Sequence, residues 1–120
     1  MNDRELLELA AKAAGIEGEW VENSLLDDYY KLPTTGILMW SEGRRHIWNP
    51  ITSSGDALRL AVKLNMGISI PVMAATHARV DVITFRNSGV NVMESCNNDP
   101  YAATRRAIVR AAAEIGRNMK

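Results

Sequence analysis

The chain has 120 residues, of which 47% are hydrophobic and 23% are charged, so it is predicted to form one ordinary globular domain spanning residues 1–120. Its 14 Lys and Arg residues equal its 14 Asp and Glu residues, which gives a formal net charge of zero. This balance argues against a protein that coats bulk nucleic acid, because such binding needs an excess of positive charge.

Cysteine content and hydropathy indicate the compartment. Cys96 is the only cysteine, which excludes an intramolecular disulfide and favours a reducing cytoplasm. The first residues, MNDRELLELAAKAAG, lack an apolar signal core. No stretch approaches the roughly 18 apolar residues that a membrane span requires. We therefore expect a cytoplasmic protein with no membrane segment.

The first third of the chain predicts a helix, a strand and an irregular connection. Apolar residues recur at helical spacing over residues 3–14, with Asn2 as the N-cap and Gly15 as the terminator. The segment EWVE that follows has the character of a short strand. Residues 23–35 have no clean period but carry several leucines and tyrosines, so this connection is expected to pack across one edge of the domain or to line a cleft.

The central part predicts a β-hairpin followed by a helix. Strands are expected at residues 37–41 and 45–48 around the turn EGRR, and a helix at residues 54–66 that Gly67 ends. Ser53 and Asp56 stand three residues apart, as in a capping box. We favour a helix cap over an anion site here, because Asp56 would repel a phosphate at the positive end of the helix.

The remaining segments complete an α+β pattern. Strands are predicted in ISIPVM, where Pro71 indicates an edge or bulged strand, and in ARVDVITF and VNVMES, which RNSG joins as a turn. Asp99 and Pro100 then begin a last helix. Its expected apolar stripe consists of Tyr101, Thr104, Ile108, Ala111, Ile115 and Met119. The fold class predicted is α+β, with a mostly antiparallel sheet packed between helices as an α-β-α sandwich.

Two groups of side chains are candidate ligand-binding residues. The first lies on and beside the hairpin turn and consists of Trp40, Arg44, Arg45, His46 and Trp48. Arginines can grip phosphate or carboxylate and tryptophans can stack on a ring, although solvated arginines and core tryptophans are the commoner outcome. The second group is a possible patch on the last helix, Arg105, Arg106 and Arg110, which Glu114 is expected to neutralise in part.

Catalytic signatures are absent from the sequence. His46 and His77 do not have metal-ligand spacing, and nothing around Cys96 predicts an activated thiol. Adjacent acids such as Asp27 and Asp28 are usually solvated. We therefore predict no metal, no cofactor and no enzymatic activity. An enzyme acting on a nucleotide would require an arrangement of carboxylates and metal ligands that this sequence does not offer.

Two segments carry a family resemblance. WNPITSSGDALRLAVKL and DPYAATRRAIVRAAAEIG resemble the phage ABA-sandwich domain, a family of small bacteriophage and prophage proteins, over residues 36–118. The resemblance implies a sheet between helical layers and a phage setting in the cytoplasm of the host cell. It implies no catalytic residues.

The function expected from these observations is that of a non-catalytic phage accessory protein. It would counter host defence by sequestering a small anionic, nucleotide-like signal or by binding a host factor. The alternative is a structural or regulatory protein-interaction module with no small-molecule ligand. In either case we expect a homo-oligomer, with the apolar connection at residues 25–32 or the edge near Pro71 at the interface.

Overall fold

A computed structural model describes residues 1–71, 78–85 and 89–119. In these ranges the chain forms three helices and six strands. In chain order they are α1 (Asp3–Ala14), β1 (Glu19–Ser24), β2 (Thr34–Ser41), β3 (Arg44–Trp48), α2 (Ser54–Lys63), β4 (Met66–Ser69), β5 (Arg79–Thr84), β6 (Asn91–Ser95) and α3 (Pro100–Arg117). None of these helices is long and apolar enough to cross a membrane.

The strands form two antiparallel sheets of three strands each. Their orders are β1-β2-β3 and β4-β5-β6, so every strand pairs with its neighbour in sequence. The predicted α+β class with antiparallel pairing is confirmed, and the strands divide between two sheets. Pro71 lies beyond the end of β4, and the last two residues of ISIPVM and most of the RNSG turn fall outside the described residues.

Side-chain caps fix the beginnings of the first and last helices, α1 and α3. The side chain of Asn2 accepts a hydrogen bond from the Glu5 N–H at 2.8 Å, and Asp99 accepts from the Ala102 N–H at 3.0 Å. Gly15 ends α1 in the left-handed conformation, with φ of 70°. These caps confirm the predicted boundaries, because each satisfies backbone groups that a helix end leaves without partners.

Helix α2 is shorter than predicted. It ends at Lys63 rather than at residue 66, and Asn65 adopts a left-handed φ of 54°, which asparagine tolerates better than most residues. The chain therefore turns into β4 before Gly67. The prediction that Gly67 ends the helix is wrong, since Gly67 lies within β4 and pairs with Ile83.

Helix α3 is the centre of the apolar core. It packs against α1, α2, β5 and β6, and most of its circumference is buried. Gly116 permits a close approach to α1, because a Cβ at this position would overlap the backbone carbonyl of Leu9. The predicted stripe is wrong at Tyr101, which is 74% exposed, and at Met119, which is 42% exposed and lies beyond the end of α3.

Candidate functional site

The hairpin β2–β3 divides the predicted ligand-binding residues between two faces. Side chains alternate along a strand, so Arg44, His46 and Trp48 share one face of β3 and Arg45 lies on the other. Trp40 is the cross-strand partner of Arg45 and shares its face. The structure therefore brings three of the five predicted residues together and separates them from the other two.

The two tryptophans differ in exposure. Trp48 is only 4% exposed and belongs to the core, whereas Trp40 is 71% exposed on the opposite face. Trp48 fills space between the sheet and the helices, which is the commoner role of tryptophan that the sequence left open. Arg44 is exposed, and its guanidinium carbon lies 5.8 Å from the centre of the Tyr29 ring, within the range of a cation–π contact.

Arg45 is bound to the connection between β1 and β2. Asp28 accepts hydrogen bonds from the Arg45 backbone N–H at 2.6 Å and from its Nη2 at 3.0 Å. The side-chain bond raises the pKa of Arg45 and lowers that of Asp28. The Asp28 N–H in turn donates to the Arg45 carbonyl at 2.9 Å. Arg45 therefore holds residues 25–33 against β3, the strand at the far edge of the sheet from β1.

The carboxylate of Asp27 is buried at the same place. Asp27 is 2% exposed, so the expectation that both adjacent acids are solvated is wrong for this residue. Its carboxylate accepts from the backbone N–H groups of Tyr29 at 2.7 Å and Ile47 at 2.8 Å. These bonds compensate for lost hydration and turn the chain so that Tyr29 and Tyr30 approach the imidazole of His46.

Asp56 is a second buried carboxylate, in the first turn of α2. The Ser53 hydroxyl accepts from the Asp56 N–H at 3.2 Å, which confirms the predicted cap. The Asp56 side chain is 1% exposed and accepts from the Asn49 N–H at 3.0 Å and from Arg59 Nη2 at 2.7 Å. Burial alone would raise the pKa of Asp56, but hydrogen bonds from His46, Asn49 and Arg59 together lower it.

His46 joins the two buried carboxylates. Its Nδ1 lies 3.1 Å from Asp27 and its Nε2 lies 2.9 Å from Asp56. The hydrogen bond to Asp56 raises the pKa of His46 against the opposing effect of burial. Only the protonated ring donates from both nitrogens. This Asp27–His46–Asp56 clamp therefore ties the β1–β2 connection, strand β3 and helix α2 together through a shared positive charge.

A cleft of about 490 Å³ opens beside the clamp, within the size range of small-molecule sites. Its walls come from α1, the β1–β2 connection, the hairpin and α2. We call it the tyrosine cleft. The side chains that characterise it are Tyr29, Tyr30, Glu42, His46, Arg59 and Lys63.

Helix α2 contributes the cations of the tyrosine cleft. Arg59 and Lys63 are four residues apart and so lie on one face of the helix. Arg59 is 71% exposed although one of its nitrogens is bonded to Asp56. Its guanidinium lies close to Gly55, where a Cβ would come within 3.3 Å of Nη2. The missing side chain at Gly55 thus lets Arg59 fold back to Asp56 while its other N–H groups face outward.

Five of these six residues were not among the predicted site residues: Tyr29, Tyr30, Glu42, Arg59 and Lys63. The expectation that the connection at 23–35 packs across an edge or lines a cleft already pointed to the two tyrosines. Glu42 lies in the predicted hairpin turn, and the signal for Arg59 and Lys63 was their spacing of four residues on one helix. Their nearness to His46 depends on the turn between β3 and α2, which no local pattern encodes.

The three arginines of the predicted second patch have separate structural partners. Arg105 donates to the Ile51 carbonyl at 2.7 Å, Arg106 pairs with Asp3 at 3.3 Å, and Arg110 pairs with Glu94 at 2.6 Å. The expectation that Glu114 neutralises this face is wrong, since Glu114 pairs with Arg117 at 2.6 Å. None of the three arginines lines the tyrosine cleft.

The remaining candidate residues from the sequence are Cys96 and His77. Cys96 is buried at 4% exposure, and His77 lies outside the described residues. Within residues 1–71, 78–85 and 89–119, no group of three or more His, Cys, Asp or Glu side chains could hold a metal ion.

No family model, no curated protein and no solved structure matches the chain. The candidate site is therefore defined by the geometry of the clamp and the tyrosine cleft. That geometry combines flat rings, exposed cationic side chains and a buried, fully hydrogen-bonded floor.

Proposed function

We propose that the protein is a non-catalytic binding protein that holds a small anionic, nucleotide-like ligand in the tyrosine cleft. The observation that carries this proposal is the meeting of two tyrosine rings with Arg59 and Lys63 around one concave volume of about 490 Å³. Flat apolar surface beside a few placed charges is the usual composition of a small-ligand site.

The tyrosines suit the ring of such a ligand. Tyr29 is 47% exposed and Tyr30 is 57% exposed, so both rings keep free surface although the backbone beneath them is bound to Asp27. Stacking of a base on an aromatic side chain contributes about 1–3 kcal/mol. Because the rings are held before a ligand arrives, little of that free energy is spent on ordering them.

The clamp favours binding over catalysis. Both nitrogens of His46 are engaged by carboxylates, so the ring has no free lone pair with which to accept a proton from a substrate. The buried acids are likewise occupied by backbone and side-chain donors. In this arrangement the titratable groups hold the walls of the cleft in place.

The biological setting of the proposal comes from the sequence resemblance. An accessory protein of a phage, acting in the cytoplasm of the host cell, would counter host defence by sequestering a nucleotide-like signal. A binding protein without turnover fits that task, since sequestration requires only affinity and sufficient protein.

The first test is to identify the ligand and remove its contacts. Purified protein is denatured and the released small molecules are identified by mass spectrometry; the released compound is then titrated by calorimetry. We expect Tyr30→Ala and Arg59→Gln each to weaken binding by about tenfold or more, the equivalent of one lost contact of about 1.4 kcal/mol.

The chain provides matched controls for both variants. Arg117 is an exposed helical arginine paired with an acid three residues before it, as Arg59 is, but it lies outside the tyrosine cleft. Tyr101 is 74% exposed on α3. Arg117→Gln and Tyr101→Ala should leave affinity unchanged. Equal losses in the control and cleft variants, or an empty protein that binds no nucleotide, would refute the proposal.

The role of the hairpin arginines is tested separately. Arg44 lies over Tyr29, so Arg44→Gln should reduce affinity without disturbing the fold. Arg45 is bonded to Asp28, and its replacement would release residues 25–33 as well as remove a charge. A double replacement of both arginines would therefore confuse two effects.

The second candidate function is an interaction module without a ligand, assembled as a homo-oligomer. Large apolar side chains remain exposed on the β1–β2 connection, with Leu25 at 65% and Leu32 at 75%. Exposed apolar groups of this size are typical of protein interfaces. Light scattering should find a dimer or larger assembly that Leu25→Ser with Leu32→Ser dissociates, and a wild-type monomer at micromolar concentration would remove this candidate.

A further inference from the structure

The charges in the floor of the tyrosine cleft cancel one another. Asp27 and Asp56 supply two negative charges, and protonated His46 and Arg59 supply two positive charges in direct contact with them. Arg59 therefore offers a ligand its outward N–H donors with little net charge, because the Asp56 carboxylate lies 2.7 Å from its Nη2.

The charges at the rim leave a small positive excess. Lys63 and Glu42 line the cleft with opposite charges, and Arg44 approaches it over the ring of Tyr29. No salt bridge involves any of these three residues in the part of the chain that the structure describes. Lys63 and Glu42 oppose each other in the lining, so the positive excess comes from Arg44, which lies beside the cleft over Tyr29.

The cleft also lacks the devices that proteins use for polyphosphates. Such sites combine several free backbone N–H groups with lysine and a divalent cation held by side-chain oxygens. Here the first turn of α2 is capped by Ser53 and carries the carboxylate of Asp56. A chain of phosphates would face Glu42 as well, and the carboxylate would repel each added negative charge.

We infer that the ligand of the tyrosine cleft carries a single negative charge beside its flat ring, and that the cleft rejects polyphosphates. This inference depends on the proposed function and narrows it to a class of ligand. The shared chemistry is a planar heteroaromatic ring joined to one monoanionic group, which Lys63 attracts and the outward N–H groups of Arg59 bind.

The experiment varies charge while the ring stays the same. Adenosine, adenosine 3′,5′-cyclic monophosphate, AMP and ATP are titrated by calorimetry at constant ionic strength, with EDTA present so that ATP keeps its full charge. The cyclic monophosphate, with one charge, should bind tightest, by about tenfold over both adenosine and ATP, as expected for one gained or one repelled charge contact.

Two variants change the rim charge in opposite directions. Lys63→Gln should abolish the advantage of the cyclic monophosphate over adenosine, because the attracting charge is lost. Glu42→Gln should raise the affinity for AMP and ATP by about tenfold, because a repelling carboxylate is lost. Glu17→Gln makes the same change of charge at an exposed residue outside the cleft and should alter none of the four affinities.

The outcomes separate this inference from the proposed function. Affinity that rises steadily from adenosine to ATP, or an effect of Glu17→Gln equal to that of Glu42→Gln, overturns the single-charge inference and leaves ligand binding intact. Failure of all four compounds to bind, together with no small molecule released on denaturation, overturns the proposed function and the inference with it.

Discussion

The two three-stranded sheets have the same strand order and are held in place by different forces. The sheet β4-β5-β6 packs on α3 through apolar side chains, with Val80 and Val82 fully buried. The sheet β1-β2-β3 is tied to its surroundings by charge: Asp27 and Asp56 bind its strand β3 through His46. The sheet β4-β5-β6 depends mainly on hydrophobic burial, whereas the sheet β1-β2-β3 adds a buried ionic network to the burial of Ile37, Ile47 and Trp48.

This difference agrees with the proposal that the tyrosine cleft is the binding site. Apolar packing is non-directional and tolerates exchange of similar side chains, whereas buried ions must meet donors at fixed distances or lose several kcal/mol. A network of this kind is a costly way to stabilise a fold. It is a good way to hold Tyr29, Tyr30 and Arg59 in fixed positions, because every member fixes its neighbours.

The largest effect should follow from breaking the charged network at Asp56. Asp56→Asn keeps the shape but removes the negative charge between His46 and Arg59, leaving two cations without their shared partner. Removing one member of a buried ion pair costs about 3–5 kcal/mol. Urea denaturation should show a loss of this size. A loss below about 1 kcal/mol would mean that the clamp contributes little to stability.

Gly116→Ala tests the apolar packing of the molecule at the contact between α1 and α3. The added methyl group would collide with the Leu9 carbonyl and push α1 away from α3, at a cost typical of overpacking, about 1–3 kcal/mol. Gly116 does not line the tyrosine cleft, although α1 contributes Ala14 to its wall, so the folded variant should lose less ligand affinity than Arg59→Gln does. Reduced affinity with unchanged stability would contradict the separation between the apolar core and the proposed binding site.

Changes of pH should have smaller effects on stability, and these effects should come from the ionic network of Asp27, His46 and Asp56. The pKa of His46 is raised above its ordinary value of 6.5, so its contribution to stability is complete below pH 6.5 and is lost as the pH rises through the folded-state pKa. The pKa of Asp56 is lowered below 3.8, so its contribution is present above pH 3.8 and is lost as the pH falls through the folded-state pKa.

Denaturant midpoints measured from pH 6 to pH 9 check the histidine part of this expectation. The wild type should lose stability over this range, and His46→Gln, although less stable at pH 6, should show a flatter profile. Tyr29 and Tyr30 are the titratable side chains whose rings face the imidazole. A decline of equal slope in the variant would assign the pH dependence to other groups.

The smallest effects on stability should come from removing a helix cap, either at α2 beside the ionic network or at α3 in the apolar core. Ser53→Ala removes the acceptor for the Asp56 N–H, and Asp99→Ala removes the acceptor for the Ala102 N–H. Each should cost about 1 kcal/mol in thermal or urea denaturation. Ligand affinity should be unchanged in both, and a specific loss of binding in Ser53→Ala would revive an anion site at the start of α2.

Much of the fold could be predicted from the sequence because local signals determine it. Asn2 and Asp99 define helix starts through their own side chains, and alternation of Val80 and Val82 indicates a strand buried on one face. The end of α2 was missed because Asn65 can terminate a helix as well as Gly67 can. The exposure of Tyr101 depends on which surfaces pack against α3, which helical periodicity does not encode.

The site was only partly predictable. Arg44, His46 and Trp48 were expected to act together and do share a face, since strand alternation is a local rule. The clamp joins Asp27, His46 and Asp56 across 10 to 19 positions of sequence. Whether an acidic residue in a connection is solvated or buried depends on that tertiary path. The neighbouring residues Asp27 and Asp28 look equivalent in the sequence and have different surroundings in the structure.

The binding of residues 27 and 28 to β3 has a consequence for assembly. An unpaired strand at the edge of a sheet can template the addition of a strand from another molecule. Here the outward N–H groups of Arg45 and Ile47 donate to the carboxylates of Asp28 and Asp27. The Arg45 carbonyl accepts a hydrogen bond from the Asp28 N–H. The pKa of Asp28 is lowered by its bond to Arg45, so only strongly acidic solution would protonate it and weaken this cover, and acid-treated protein should be the form that aggregates with cross-β character.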